Sequence, residues 1–384
     1  MAKEIAKQTI LAVETLDLHV LAPTGEAVGE LDGQLVYVPF GVPGERVRVE
    51  IVEQTRAFAR ARLVEVLAPA PERIPARCDH FGRCGGCDWQ HIAYATQLAH
   101  KRAAVLQQLT AVAELEQPDV RACEPSFHAY DYRNSAVFTV QANGRPAYAA
   151  IDPKQMVTVD ECPILEPPLE DELHKAAAFG VPVRREWAIR VPEPIPVGNF
   201  NYFVGPKSAF PVNTLAAGQL VMATMEAIEP RQDQAFLDLN CGVGLFTLPL
   251  AVMSADVIGV EPDAAAGRDA RRNVASIRNR LFNKVPPRIV SSQLGAALAR
   301  AEIKTRLWQG AVVRPPARGL GMMTANQIAK VGVARLVYIS DDVTTLGRDI
   351  KMLLRGGYQF DYAQPLDMMP QTHHVQTVVR MSLR

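Results

Sequence analysis

Six cysteines occur in the 384-residue chain, and three of them crowd into ten positions. Cys78, Cys84 and Cys87 follow C-x5-C-G-G-C spacing, and Cys162 stands far downstream in Glu161-Cys162-Pro163-Ile164-Leu165. Three close thiolates and one distant one can surround a metal ion or an iron–sulfur cluster tetrahedrally. Gly85-Gly86 leaves room for backbone amides to approach the sulfurs, and spacing alone does not choose between zinc and iron–sulfur. Cys123 and Cys241 fall outside the pattern and read as ordinary buried or loop thiols. A second centre follows the short apolar strand Ala235-Phe236-Leu237-Asp238-Leu239, which runs into Asn240-Cys241-Gly242-Val243-Gly244 and then a helix. Glycines at such a turn let the backbone approach a ligand at the helix N-terminus, where amide donors are free. About 17 residues after Gly244, Glu261 closes the apolar strand Val257-Ile258-Gly259-Val260. A carboxylate there can accept hydrogen bonds from ribose hydroxyls.

The stretch from Cys78 to His91, Cys-Asp-His-Phe-Gly-Arg-Cys-Gly-Gly-Cys-Asp-Trp-Gln-His, resembles the cluster motif of bacterial RNA (uracil-5-)-methyltransferases. The later Cys162-Pro163-Ile164-Leu165 and the intervening Tyr132-Arg133-Asn134 are similar to segments of that family. The resemblance implies a four-iron four-sulfur (4Fe-4S) cluster on Cys78, Cys84, Cys87 and Cys162. It also implies S-adenosyl-L-methionine at Asp238, Asn240, Gly242, Gly244 and Glu261, and structured RNA (rRNA or tRNA) as partner.

The resemblance breaks where the family does its chemistry. Methylating uracil C5 requires a thiolate to attack C6 and a base to remove the C5 proton. The family's nucleophile lies in Tyr-x-Ser-Cys-Asn-Pro-x-Thr-Leu-x-Arg-Asp; here Tyr338-Ile339-Ser340-Asp341-Asp342 begins the same frame, with Asp341 at the nucleophile position. The C-terminal His373-His374-Val375-Gln376 puts Gln376 at the base position, and Arg314-Pro315-Pro316 puts Arg314 where the family has an acid. Phe210-Pro211-Val212-Asn213 lacks the cofactor-contacting glutamine, and Val290-Ser291-Ser292-Gln293 lacks the acid expected near the adenine. Losing nucleophile, base, acid and a cofactor contact together implies abandonment of the family's reaction. Asp341 and Asp342 read as solvated or helix-start acids, and His373 and His374 as loop side chains.

These residues need elements to hold them. From Thr15 to Leu67 the chain reads as short strands with glycine turns; Arg46-Val47-Arg48-Val49-Glu50-Ile51-Val52-Glu53 alternates with the period of a half-buried strand. That pattern fits a small barrel of oligonucleotide-binding type, similar to the TRAM domain with which the family holds RNA. Arg56, Arg60 and Arg62 would place positive charge near one face, and Arg60, Arg62 and Arg133 are the candidate phosphate contacts. Pro69, Pro71 and Pro75 mark a linker. A helix is expected from about Ala93 to Leu115, since no proline interrupts it. Tyr132 to Cys162 returns to strand character, and prolines between Pro163 and Pro196 signal a boundary. From about Phe210 helices and apolar strands alternate, as in an α/β sheet domain.

The expected fold is an α/β doubly wound (Rossmann-like) methyltransferase domain, an N-terminal β-barrel of TRAM/OB type and a small α+β central iron–sulfur domain. The expected limits are 1–67 for the barrel, 68–92 and 125–205 for the central domain, and 93–124 with 206–384 for the methyltransferase-fold domain. Lysine plus arginine and aspartate plus glutamate number 41 each, so net charge gives no argument for nucleic acid and RNA binding must rest on local patches. The run Arg268, Arg271, Arg272, Arg278, Arg280 and Lys284 reads equally as a phosphate-binding or a solvated helix face. No apolar stretch approaches 18 residues and Met1 to Glu14 has no apolar core, so a membrane span and a secretory signal are not expected. A cytoplasmic monomer that does not bind DNA is expected. Three functions remain at this stage: an RNA-binding iron–sulfur protein inert in C5 methylation, an active methyltransferase using another mechanism or target atom, and a cluster-bearing redox or interaction protein without RNA.

Overall fold

A computed structural model describes residues 11–152, 154–182, 185–281 and 285–383. The first part is a closed five-stranded barrel of β1 (Ala12–Leu21), β2 (Ala27–Leu31), β3 (Gln34–Val38), β4 (Arg46–Gln54) and β5 (Phe58–Ala68), in the order β1-β2-β3-β5-β4. Alternation in β4 sets its inside and outside: Val47, Val49 and Ile51 are buried while Arg46 and Arg48 face water. Gly29 permits the tight β1–β2 packing, since a Cβ there would lie 2.7 Å from the Asp17 carbonyl oxygen.

After the cysteine segment, α1 (Tyr94–Gln107) continues into one π-helical turn, Gln108–Val112. Val105, Leu109 and Ala113 join the core of the C-terminal sheet. The central unit consists of β6 (Ser135–Val140), β7 (Pro146–Ala149), β8 (Met156–Thr158), α2 (Pro167–Phe179) and β9 (Glu186–Arg190), its antiparallel sheet ordered β8-β7-β6-β9. Leu169, Leu173 and Ala176 of α2 bury against Phe138, Trp187 and Ile189. The proline-rich stretch read above as a boundary therefore contains a helix and a strand. Pro167 and Pro168 occupy the first helical turn, where a missing amide proton costs nothing.

The hairpin β10 (Ile195–Val197) and β11 (Phe200–Tyr202) precedes α3 (Thr214–Ile228). The sequence places it in the central domain, but Ile195, Val197 and Tyr202 bury with α3 and the large sheet. The chain then alternates β12 (Ala235–Leu239), α4 (Thr247–Met253), β13 (Asp256–Glu261), α5 (Ala264–Ser276), β14 (Arg288–Ser291), α6 (Leu294–Leu298), α7 (Ala301–Lys304), β15 (Gly310–Val313), α8 (Met322–Val331), β16 (Arg335–Ser340), α9 (Val343–Arg355), β17 (Tyr358–Leu366) and β18 (Gln376–Leu383). They form one seven-stranded sheet, β14-β13-β12-β15-β16-β18-β17, parallel except for β18. Apolar runs such as Phe236-Leu237 and Leu336-Val337 are covered on both faces, as a parallel sheet demands. The N-terminal ten residues, Lys284 of the basic run and Arg384 lie outside the described residues.

Candidate functional site

The fold brings Cys78, Cys84, Cys87 and Cys162 to the walls of one cavity, although 75 positions separate Cys87 from Cys162. Phe81, Phe138, Tyr148 and Ile164 supply its apolar lining. All six cysteines are free, with no disulfide. Burial pushes the Cys87 and Cys162 thiols up to about 12, and burial also raises Cys78 and Cys84. Arg133, a phosphate candidate above, instead lines this cavity and donates from Nε to the Ser135 carbonyl at 3.0 Å. Its charge opposes the upward shift at Cys84 and Cys162. Among the described residues, no group of three or more His, Cys, Asp or Glu side chains is arranged to hold a metal ion.

The glycine turn lies at the carboxyl end of β12, the crevice where doubly wound sheets bind ligands. Asn240, Gly242 and Gly244 all have positive φ, at 61°, 57° and 92°. Gly244 must stay small: a Cβ would meet Leu248 Cδ1 at 3.1 Å in a conformation that side chains resist. The Glu261 carboxylate accepts the Gly242 and Asp263 N–H groups, each at 2.8 Å, which pins the turn to the next strand. Each oxygen keeps a further lone pair. Asp238 is fully enclosed; Thr247 Oγ1 donates to its Oδ2 at 2.5 Å, while Oδ1 has no partner. Burial raises Asp238 to about 7. A cavity beside the turn is lined by Asn240, Pro262, Gln293, Pro315, Arg318 and Thr324. Gln293 thus stands on the wall of this cavity, as an amide rather than an acid.

Arg314, Asp341 and Gln376, the three residues that the sequence reading sets at the acid, nucleophile and base positions, meet one another. Ser340 of β16 pairs with Thr377 of β18, so Asp341 emerges beside Gln376. Val313 pairs with Tyr338 on the other flank, which brings Arg314 to the same place. Arg314 Nε donates to Asp341 Oδ2 at 2.9 Å and to Oδ1 at 3.2 Å, and Gln376 Nε2 donates to Asp341 Oδ1. The ion pair is about one-third exposed, whereas Gln376 is only 6% exposed. Asp342 turns away and caps α9, accepting the Thr344 N–H at 2.8 Å. The helix-start reading therefore holds for Asp342 and not for Asp341. Treating each substitution as a separate loss misses this mutual arrangement; the opposite charges of Arg314 and Asp341 were the available signal.

Other candidates have structural partners. His373 Nδ1 pairs with Asp88 Oδ2 at 2.6 Å and stacks beside His374, tying the C-terminal loop to the cysteine segment. The Asp88 and Trp89 amides both donate to the Gln371 carbonyl, and Trp89 Nε1 donates to Gly25 of the barrel. Lys101 and Asp367, both fully buried, form an ion pair at 2.6 Å that holds the same loop to α1. Cys241 is buried in the turn, and Cys123 is buried in the sheet core. On the barrel, Arg62 pairs with Glu50, and Arg60 lies 3.6 Å from Glu53 and 3.7 Å from Glu26. Among the described residues no helix is long and apolar enough to cross a membrane.

Residues 9–64 match the TRAM domain model, and residues 195–384 match the model described as tRNA (uracil-5-)-methyltransferase. A 23S rRNA (uracil(1939)-C(5))-methyltransferase of Pectobacterium atrosepticum is 28% identical, over 97% of this chain and 93% of the relative. An uncharacterized RNA methyltransferase of Thermosynechococcus vestitus is also 28% identical, over 96% of this chain and 98% of its own. The crystal structure of Pyrococcus abyssi tRNA (uracil-54, C5)-methyltransferase, a complex with S-adenosyl-L-homocysteine, superposes with a TM-score of 0.73. It shares 22% identity over 96% of this chain and all of that chain, and so shows the common fold. The chain thus carries a TRAM match over its N-terminal barrel and a tRNA (uracil-5-)-methyltransferase match over the domain of the large sheet.

Proposed function

We propose that this protein is an RNA-binding member of the family that does not methylate uracil at C5. The observation that carries the reading is the Arg314–Asp341–Gln376 arrangement. A carboxylate held by a guanidinium and an amide is a poor nucleophile toward a pyrimidine double bond, and it has no soft sulfur to stabilise an adduct. Gln376 offers an amide where a proton acceptor is needed. Its nitrogen is already engaged by Asp341, so the site is closed upon itself.

We further propose that Cys78, Cys84, Cys87 and Cys162 hold a 4Fe-4S cluster. Four free thiols face one cavity, and their burial disfavours the thiolate unless a positively charged group lies between them. Such a group would clasp the cysteine segment to the central sheet. Iron and sulfide analysis of anaerobically purified protein tests this, and zinc in their place rejects it.

A second reading has an observation of its own. The positive-φ turn, Glu261 and the adjoining cavity remain formed, which is what a protein still binding S-adenosyl-L-methionine would require. Methyl transfer to a nitrogen or oxygen atom would need no cysteine adduct. Incubation with tritiated S-adenosyl-L-methionine and bulk tRNA or rRNA, followed by nucleoside analysis, separates the readings. No 5-methyluridine is expected; its appearance would overturn the primary reading. Another methylated nucleoside, lost in Glu261→Ala, would establish the second.

A further inference from the structure

Two groups of surface arginines differ in their partners. On the barrel's outer face four arginines stand against carboxylates, Arg46 with Asp17, Arg48 with Glu65, Arg60 with Glu26 and Glu53, and Arg62 with Glu50, while exposed Arg56 in the β4–β5 turn has none within ion-pair distance among the described residues. That face is a ladder of alternating charge, with little net attraction for a polyanion. Arg268, Arg271 and Arg272 on α5, and Arg278 and Arg280 in the 3-10 turn after it, have no carboxylate within ion-pair distance among the described residues. Two of them are set on aromatic rings instead. The Arg272 guanidinium lies 3.7 Å from the Phe203 ring centroid, and Arg280 lies 4.3 Å from Phe200 while donating to the Asn199 carbonyl at 2.7 Å. Arg271 donates to Ser291 Oγ at 2.7 Å, and Arg268 and Arg278 are exposed.

Asp269, among these arginines, has a positioning role. Asp269 accepts the Gly205 N–H at 2.8 Å and the Ser208 hydroxyl at 2.5 Å, fastening loop 205–208 and its exposed Lys207 beside the helix. Hairpin, loop and helix thus form one cationic surface with two guanidinium planes held in place. Guanidinium groups pre-ordered in this way bind phosphate with little further loss of side-chain freedom. Arg268, Arg271, Arg272, Arg278, Arg280 and Lys207 outnumber Asp263 and Asp269 on this face, and the excess of positive charge is complementary to a phosphodiester backbone.

We propose that the surface formed by α5, the turn after it and the β10–β11 hairpin is the main phosphate-binding face for RNA, rather than the outer arginines of the barrel. This inference rests on the RNA-binding reading above and assigns its location. Phosphate contacts release counterions, so affinity falls steeply with salt, and each lost contact lowers the log–log slope by about 0.7–0.9.

The experiment measures binding of bulk tRNA to the full chain at several salt concentrations. R272Q/R278Q/R280Q is expected to weaken binding on the order of tenfold at moderate salt and to lower the slope by about 2–3. The barrel variant R46Q/R62Q is expected to leave affinity within about twofold and the slope unchanged. R268Q/R278Q changes only exposed side chains that make no hydrogen bond or ion pair among the described residues, so it serves should the triple variant misfold. A lower slope in that pair also supports the assignment. An unchanged slope in the α5 variants with a loss in the barrel variant overturns it, while leaving RNA binding intact. Wild-type protein with no salt-dependent affinity for tRNA overturns the RNA-binding reading itself.

Discussion

Gln376→Glu, which sets a second carboxyl beside Asp341, should destabilise the protein, and the deficit should grow with pH. Gln376 is 6% exposed, and its Nε2 donates to Asp341 Oδ1. Glutamate would replace that donor with a second carboxylate facing the first. An uncompensated buried charge costs about 3–5 kcal/mol. Arg314, 2.9 Å from Asp341 on the other side, offsets part of this, leaving a cost of about 2–3 kcal/mol. Burial and the facing charge would raise the folded-state pKa of the introduced carboxyl above its unfolded value of about 4.3. Below that value the new group is protonated in both states and costs little; the penalty develops as pH rises through the folded pKa. Guanidinium unfolding monitored by near-ultraviolet circular dichroism at pH 5 and pH 8 reads both terms. Asp341→Asn in the same chain removes the facing charge and should return most of the loss. A Gln376→Glu protein as stable as wild type at pH 8, or no recovery in the double variant, would refute the contact on which the inactive reading stands.

Three further outcomes follow from buried features elsewhere. Lys101→Met leaves Asp367 unpaired in the interior and should cost about 3–5 kcal/mol at neutral pH by urea denaturation; adding Asp367→Leu should recover most of it. Asp238 holds its proton up to about 7 through burial, so the native state binds one proton more than the unfolded state between roughly pH 4 and pH 7. Wild-type stability should therefore fall through that window by up to about 1.4 kcal/mol per pH unit from this group, and Asp238→Asn should flatten the slope in the same titration. Gly347→Ala places a Cβ 2.4 Å from the Gln108 carbonyl oxygen, forcing α9 away from the π-helical turn; a loss of about 1–3 kcal/mol should appear as a lower Tm.

Local patterns declare themselves where water touches one side of an element or none. The alternation in β4 can be read because its outer face is solvated, and the uniform apolar runs of β12 and β16 because both their faces are covered. Helix α2 escapes because its opening residues are prolines, which mark a helix start and a linker with the same letters. The hairpin β10–β11 falls to the wrong neighbour for a different reason. Three-residue strands carry too little pattern to say which core will take Ile195 and Tyr202.

The site shows the same limit more sharply. Cys78, Cys84 and Cys87 advertise themselves by proximity in the chain, and the structure adds Cys162 to their cavity through the central sheet. Arg314, Asp341 and Gln376 are separated by 27 and 35 positions and meet only because β15, β16 and β18 are neighbours in the order of the large sheet. Motif comparison reports them as three losses. The register of that sheet makes them one linked set, a cation, an acid and an amide in mutual contact. A single reversion, such as Asp341→Cys, would leave Arg314 without its carboxylate and Gln376 without its acceptor. On the proposed reading, introducing the thiol alone yields no 5-methyluridine, because an amide at position 376 cannot take the C5 proton.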